Sequence, residues 1–161
     1  MQAGDQIPDF ELPDQTGAPR RLSTLLADGP VVLFFYPAAM TAGCTKEACH
    51  FRDLAAEFAE VGAQRVGISM DAVDKQKQFA DKHSFDYPLL ADTDGAVAKI
   101  FGVKRALGIL KVKRNTFVIG TDQVSWCARH AAVSTAHCDL PPEPAVSPPM
   151  SSSVHQPTPG A

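Results

Sequence analysis

The chain has 161 residues, of which 45% are hydrophobic and 20% charged, with a formal net charge of -3. That balance suits one globular domain with a tail, and the interspersed charges, lacking a basic stripe, argue against nucleic acid or an anionic membrane surface as a partner. No apolar run reaches the roughly 18 residues of a membrane span, and the N-terminus lacks a signal-peptide pattern, so a cytoplasmic protein is expected, in which four cysteines point to redox or metal roles rather than a disulfide framework.

In chain order, residues 5–24 alternate apolar and polar side chains around the turn signal Asp14-Gln-Thr-Gly17, which predicts a short exposed hairpin; Leu22 to Leu26 reads as a turn leading onward. Residues 31–36, Val-Val-Leu-Phe-Phe-Tyr, are continuously apolar and suit a central strand buried on both faces, ended by Pro37. From Cys44 to Val61, small or apolar residues at 44, 48, 51, 55 and 58 follow one helical face. Thr41 is the expected N-cap, its hydroxyl accepting the Cys44 amide. Gln64 to Ser69 reads as a second core strand, parallel to the first, and residues 72–83 as an amphipathic helix with Val73, Phe79 and Ala80 inward. A short strand over 87–91, a turn at 92–95 and a short helix over 95–101 follow. A loop carrying Lys104, Arg105, Lys111 and Lys113 then leads to Arg114 and the apolar run 115–120, the last predicted strand. The order is that of an α/β fold.

The chemistry concentrates where the first central strand runs into a helix beginning near Cys44. A thiolate is the nucleophilic form of cysteine, and a helix N-terminus or a nearby cation favours it. A lone cysteine is often no more than a small buried hydrophobe, but Pro37, Thr41 and the helix start in register with Cys44 favour a reactive one. Cys49 follows five positions later. Ideal helix geometry puts the two Cα atoms about 8–9 Å apart, beyond the ~7 Å that a disulfide bridges, so pairing them requires the first turns to unwind. Glu47 lies one turn from Cys44 and could orient an arginine, but a first-turn glutamate usually complements the helix dipole, and it is left out of the expected site. His50 and His83 have no ligand spacing, and Cys127, His130, His137 and Cys138 lack the paired short spacings of a zinc motif.

Pro37-x-x-x-Thr41-x-x-Cys44 resembles the active-site signature of the peroxiredoxins, and the run Cys44-Thr-Lys-Glu-Ala-Cys49-His-Phe-Arg-Asp resembles their bacterioferritin comigratory protein/peroxiredoxin Q subfamily, over roughly residues 3–122. The resemblance implies a thioredoxin-like α/β fold, a central mixed β-sheet flanked by helices. It also implies a peroxidase acting on hydrogen peroxide and alkyl hydroperoxides, recycled by thioredoxin or a similar dithiol reductant. In it Cys44 would be the attacking thiolate, Cys49 the resolving cysteine, Thr41 and Arg114 the peroxide-aligning groups, with Arg105 as fallback for the arginine, and Pro37 the shield. No cofactor or metal is implied, and a monomer or weak dimer is expected. The chain departs from the family after Asp122: from Gln123 it is rich in proline and serine, and neither the next strand nor the C-terminal helix of the family is visible. A domain over 1–122 and a disordered tail over 123–161 are expected, one explanation being a coding frame altered near residue 122. Two rival readings remain, a thiol redox sensor using the same cysteines and a non-catalytic product with a replaced C-terminus.

Overall fold

The structure is a computed structural model and describes residues 1–129. The expected hairpin is present as β1 (Glu11–Pro13) and β2 (Pro19–Arg21), paired antiparallel. The buried Asp14 carboxylate organises its turn, accepting hydrogen bonds from the Thr16 amide and hydroxyl and from Arg20 Nε at 2.8, 2.6 and 2.7 Å, while Gly17 supplies the left-handed φ of +83°. Where a turn was expected after it, the chain forms a helix, α1 (Leu22–Ala27), burying Leu22, Leu25 and Leu26. Six residues are too few to display a helical period, and the acceptor for its early Ser23 amide, the Asp9 carboxylate at 2.9 Å, comes from 14 positions away.

The continuously apolar run forms β3 (Val31–Phe35), the middle strand of a five-stranded sheet ordered β5-β4-β3-β6-β7. β3 runs parallel to β4 (Gln64–Ser69), which runs parallel to β5 (Leu89–Ala91); β6 (Asn115–Ile119) runs antiparallel to β3. Burial on both faces follows from helices on both sides. Val31, Leu33 and Phe35 pack with α1 and with Val97 and Ala98 of α5 (Ala96–Ile100). Val32 and Phe34 pack on the opposite face with Cys44, Ala48 and Phe51 of α2 (Ala42–Asp53) and with Phe79 and Ala80 of α4 (Val73–His83).

Four expectations need correction. The single helix predicted through Val61 is two, because Leu54 (φ -87°, ψ 19°) leaves the helical region and α3 (Ala55–Glu60) starts anew; the apolar spacing carries across the break and hides it. In α4 the buried side chain of the first turns is Gln76 rather than half-buried Val73, its amide satisfied by Ser69 and Leu90. The strand predicted over 87–91 forms only over its last three residues. The sheet also continues past Asp122: β7 (Ser125–Arg129) pairs antiparallel with β6 after a turn in which Gln123 takes a φ of +61°. The disorder expected from residue 130 onward, and His130, His137 and Cys138, lie outside the described residues.

Candidate active site

β3 delivers its chain end to the site. After Phe35 the Tyr36 amide still bonds the Ile68 carbonyl of β4 at 3.1 Å, and half-buried Pro37, which has no amide hydrogen, turns the chain out of the sheet. The loop that follows is pinned by the Ala39 amide, which donates to Asp71 Oδ2 at 2.7 Å, and passes through Met40 in a left-handed conformation, φ +68°. Thr41 is the N-cap of α2, as expected from the sequence, but its side chain does not cap. The hydroxyl instead donates back to the Ala38 carbonyl at 3.0 Å, closing the loop; the first helical bond runs from the Thr45 amide to the Thr41 carbonyl at 2.8 Å.

Cys44 is the third residue of α2, at the positive end of the helix dipole, and is only 2% exposed. Arg114, the residue before β6, reaches over the helix start. Its Nη2 donates to Cys44 Sγ at 3.5 Å, and its Nη1 donates to the Gly43 carbonyl at 3.0 Å and to Glu47 Oε2 at 2.6 Å. A planar guanidinium can hold all three partners at once, and its charge is permanent. It lies against Gly43, where a Cβ would stand 3.1 Å from Nη2, so only glycine leaves the arginine its present place without displacement.

Glu47 is the carboxylate of this pair, its side chain 10% exposed. Burial pushes its carboxyl above the usual carboxylate range, against the opposing pull of the Arg114 charge and hydrogen bond. The sequence allows Glu47 to orient an arginine but favours a dipole complement, and the structure pairs it with Arg114. The available signal was its position three residues after Cys44, one turn along the same helix. Asp71 escaped notice, since its contact with the loop joins residues 32 positions apart.

Of the sequence-predicted residues, the fold therefore brings Cys44 and Arg114 into contact and sets Pro37 and Thr41 in the loop entering the helix. Cys49 is half-buried on the same α2, and both cysteines are free thiols. Arg105 is exposed in the loop before Val112, and no hydrogen bond joins it to Cys44 among the described residues. Among those residues no group of side chains has the makings of a metal site, and no helix is long and apolar enough to cross a membrane.

Residues 3–125 match the family described as AhpC/TSA. A Mycobacterium tuberculosis protein named among the peroxiredoxins is 70% identical over 125 residues, covering 76% of this chain and 81% of its own. Peroxiredoxin Bcp of Bacillus subtilis is 38% identical over 124 residues, covering 74% and 78%. The crystal structure of peroxidoxin BcpB from Mycobacterium tuberculosis superposes with a TM-score of 0.79 at 67% identity, over 81% of this chain and 86% of that one. The mixed sheet with helices on both faces is thus the thioredoxin-like fold of these enzymes, and the chain belongs to the AhpC/TSA family as a peroxiredoxin of the Bcp/peroxiredoxin Q kind.

Proposed function

We propose that this thiol-dependent peroxidase reduces hydrogen peroxide and alkyl hydroperoxides through Cys44, resolves through Cys49, and is recycled by thioredoxin or a similar dithiol. The observation that carries the reading is the Arg114 guanidinium 3.5 Å from Cys44 Sγ, with its other donors held on Gly43 and Glu47. A fixed cation beside the sulfur favours negative charge there and meets the charge that develops on the peroxide oxygens.

In the first step the Cys44 thiolate attacks one peroxide oxygen. The S–O bond forms as the O–O bond breaks, the sulfur is oxidised by two electrons to sulfenic acid, and the leaving oxygen takes a proton to depart as water or alcohol. Arg114 aligns the O–O bond, together with the Thr41 hydroxyl once it turns from Ala38, and the half-buried Pro37 shields the sulfenic acid. In the second step the Cys49 thiolate attacks the Cys44 sulfur, forming S–S, breaking S–O and releasing water. Five positions along an intact helix keep the sulfurs apart, so the start of α2 unwinds between the steps. A dithiol then reduces the disulfide by exchange, returning two thiols.

The test is peroxide consumption with a thioredoxin system, comparing the intact chain with Cys44→Ser and Cys49→Ser, each checked for folding by circular dichroism. Turnover by the intact chain, none by folded Cys44→Ser, and a single turnover ending in sulfenic acid for Cys49→Ser is the expected set. Undiminished turnover by Cys44→Ser would overturn the reading, and undiminished turnover by Cys49→Ser with the same thioredoxin system would remove Cys49 from it.

A further inference from the structure

Behind the loop that leads to Cys44 lies an unbroken chain of hydrogen bonds. The Tyr36 hydroxyl donates to Gln76 Oε1. Gln76 Nε2 donates to Ser69 Oγ at 3.0 Å and to the Leu90 carbonyl at 2.8 Å. The Ser69 hydroxyl donates to Asp71 Oδ2 at 2.8 Å, and the same carboxylate oxygen accepts the Ala39 amide at 2.7 Å. The second carboxylate oxygen takes the Lys75 ammonium at 2.6 Å. Tyr36 and Gln76 are fully buried and Ser69 is 1% exposed, while burial raises the Tyr36 phenol and keeps it a donor. Each buried group in the chain has its partner, so the network holds one arrangement. It ties the end of β4 and the start of α4 to the loop on which Cys44 depends.

From this we infer that Asp71 is a positioning residue that sets the balance between the two conformations of the catalytic cycle, an inference that rests on the Cys44–Cys49 chemistry proposed above. The Ala39 amide lies five positions before Cys44, and both residues are buried in one cluster with Tyr36. While Asp71 holds that amide, the loop and the first turn of α2 keep Cys44 under Arg114, the state that reacts with peroxide. Condensation with Cys49 requires that first turn to come away. An interaction present in only one of two states shifts the equilibrium toward that state. Asp71 therefore favours the first step and opposes the second, and it acts through Ala39 rather than on the peroxide.

The experiment measures both steps separately in Asp71→Ala. Reduced protein is mixed with hydrogen peroxide, and quenched samples are scored by mass for thiol, dimedone-trapped sulfenic acid and disulfide. Loss of a hydrogen bond to a charged group corresponds to roughly a 10-fold change in such an equilibrium. We expect sulfenic acid to form up to about 10-fold more slowly and to convert to disulfide several-fold faster, opposite shifts that simple destabilisation does not produce. Asp71→Asn, which keeps an acceptor for Ala39, should restore both rates toward those of the parent. Lys75→Ala, which spares the Ala39 contact, should change neither. Unchanged rates in folded Asp71→Ala, or both rates falling by one factor, would overturn the inference. Should Asp71→Ala fail to fold, amide hydrogen exchange on the unmodified protein carries the test: the Ala39 amide held by Asp71 should be protected in the reduced protein and exchange fast once the Cys44–Cys49 disulfide has formed, and equal protection in both states would overturn the inference. Absence of both sulfenic acid and disulfide in the unmodified protein would instead sink the peroxidase reading.

Discussion

Glu47 sets chemistry and stability against each other at a single side chain, and the two can be measured apart. It is buried beside Arg114, and burial raises its carboxyl above the usual range. For a group whose folded-state value is raised, the stability it contributes is present below the unfolded value, about 4.3 for glutamate, and is lost as pH rises through the folded value. At neutral pH the ionised Glu47 therefore burdens the fold, and Glu47→Gln, a neutral isostere, should unfold in urea at a concentration no lower than the parent. Its reaction with peroxide should nonetheless slow, by roughly 10- to 100-fold for a lost charge-assisted hydrogen bond that orients Arg114. The parent's rate should fall on the acid side at a pH above the ordinary carboxylate range, as Glu47 protonates and releases its ion pair, and the variant should lack that limb. A variant that reacts as fast as the parent but is less stable at pH 7 would mean that Glu47 serves the fold alone. Cys44, Thr41 and Pro37 were legible because they lie within eight consecutive positions with a recognisable spacing. The Glu47–Arg114 pair spans 67 positions, and no local pattern encodes such a contact.

The helix α2 carries two halves of different character. Its first turns present Ala42, Gly43, Cys44, Thr45 and Lys46, and the side chains buried before its last turn, Cys44 and Ala48, are small. Glycine in a helix costs about 1 kcal/mol relative to alanine, so this half should be the first to detach. Phe51 anchors the other half, fully buried and stacked on Phe34 of β3 with ring centroids 4.3 Å apart. Amide hydrogen exchange should accordingly be fast from Thr45 to Ala48 and slow at Phe51, since opening free energies follow buried apolar contact. Phe51→Ala should lower global stability by about 3–5 kcal/mol, read from urea unfolding, and abolish that gradient. Uniform protection along α2 would contradict a helix start poised to unwind. The elements most legible in the sequence were β3, whose continuous apolar run is the mark of a strand covered on both faces, and β4 and β6, each with a shorter apolar centre at Val66 to Ile68 and Phe117 to Ile119. The elements that escaped it have physical reasons: α1 is shorter than two helical periods, and the break at Leu54 leaves the apolar spacing intact. β7 meets β6 across a register shift between Val118 and Ile119 that spoils the alternation, and its Ser125 and Arg129 ends are polar.

For the molecule as a whole, the question is where the folded unit ends. The sequence suggested Asp122, yet Gly4, Ile7 and Ser125 are tied by main-chain bonds: the Gly4 amide donates to the Ser125 carbonyl at 2.6 Å and the Ile7 amide to the Gln123 carbonyl at 2.9 Å. The segment after Asp122 thus fastens the N-terminus as well as extending the sheet. Among the described residues, both core clusters draw their members from Met1 through Ile119, and the family match ends at residue 125. A chain ending at Arg129 should then contain what folding and catalysis need, whereas one ending at Asp122 should not. We expect the former to keep its thermal midpoint within about 3 °C of the full chain, a shift equivalent to ~1 kcal/mol in a domain of this size, with unchanged peroxide consumption. The shorter one, stripped of β7 and of the partners of Gly4 and Ile7, should lose its cooperative transition. Truncation at Arg129 that also abolishes the transition would mean that residues 130–161 contribute to the folded unit. Equal stability of both truncations would mean that β7 adds nothing to the sheet it extends.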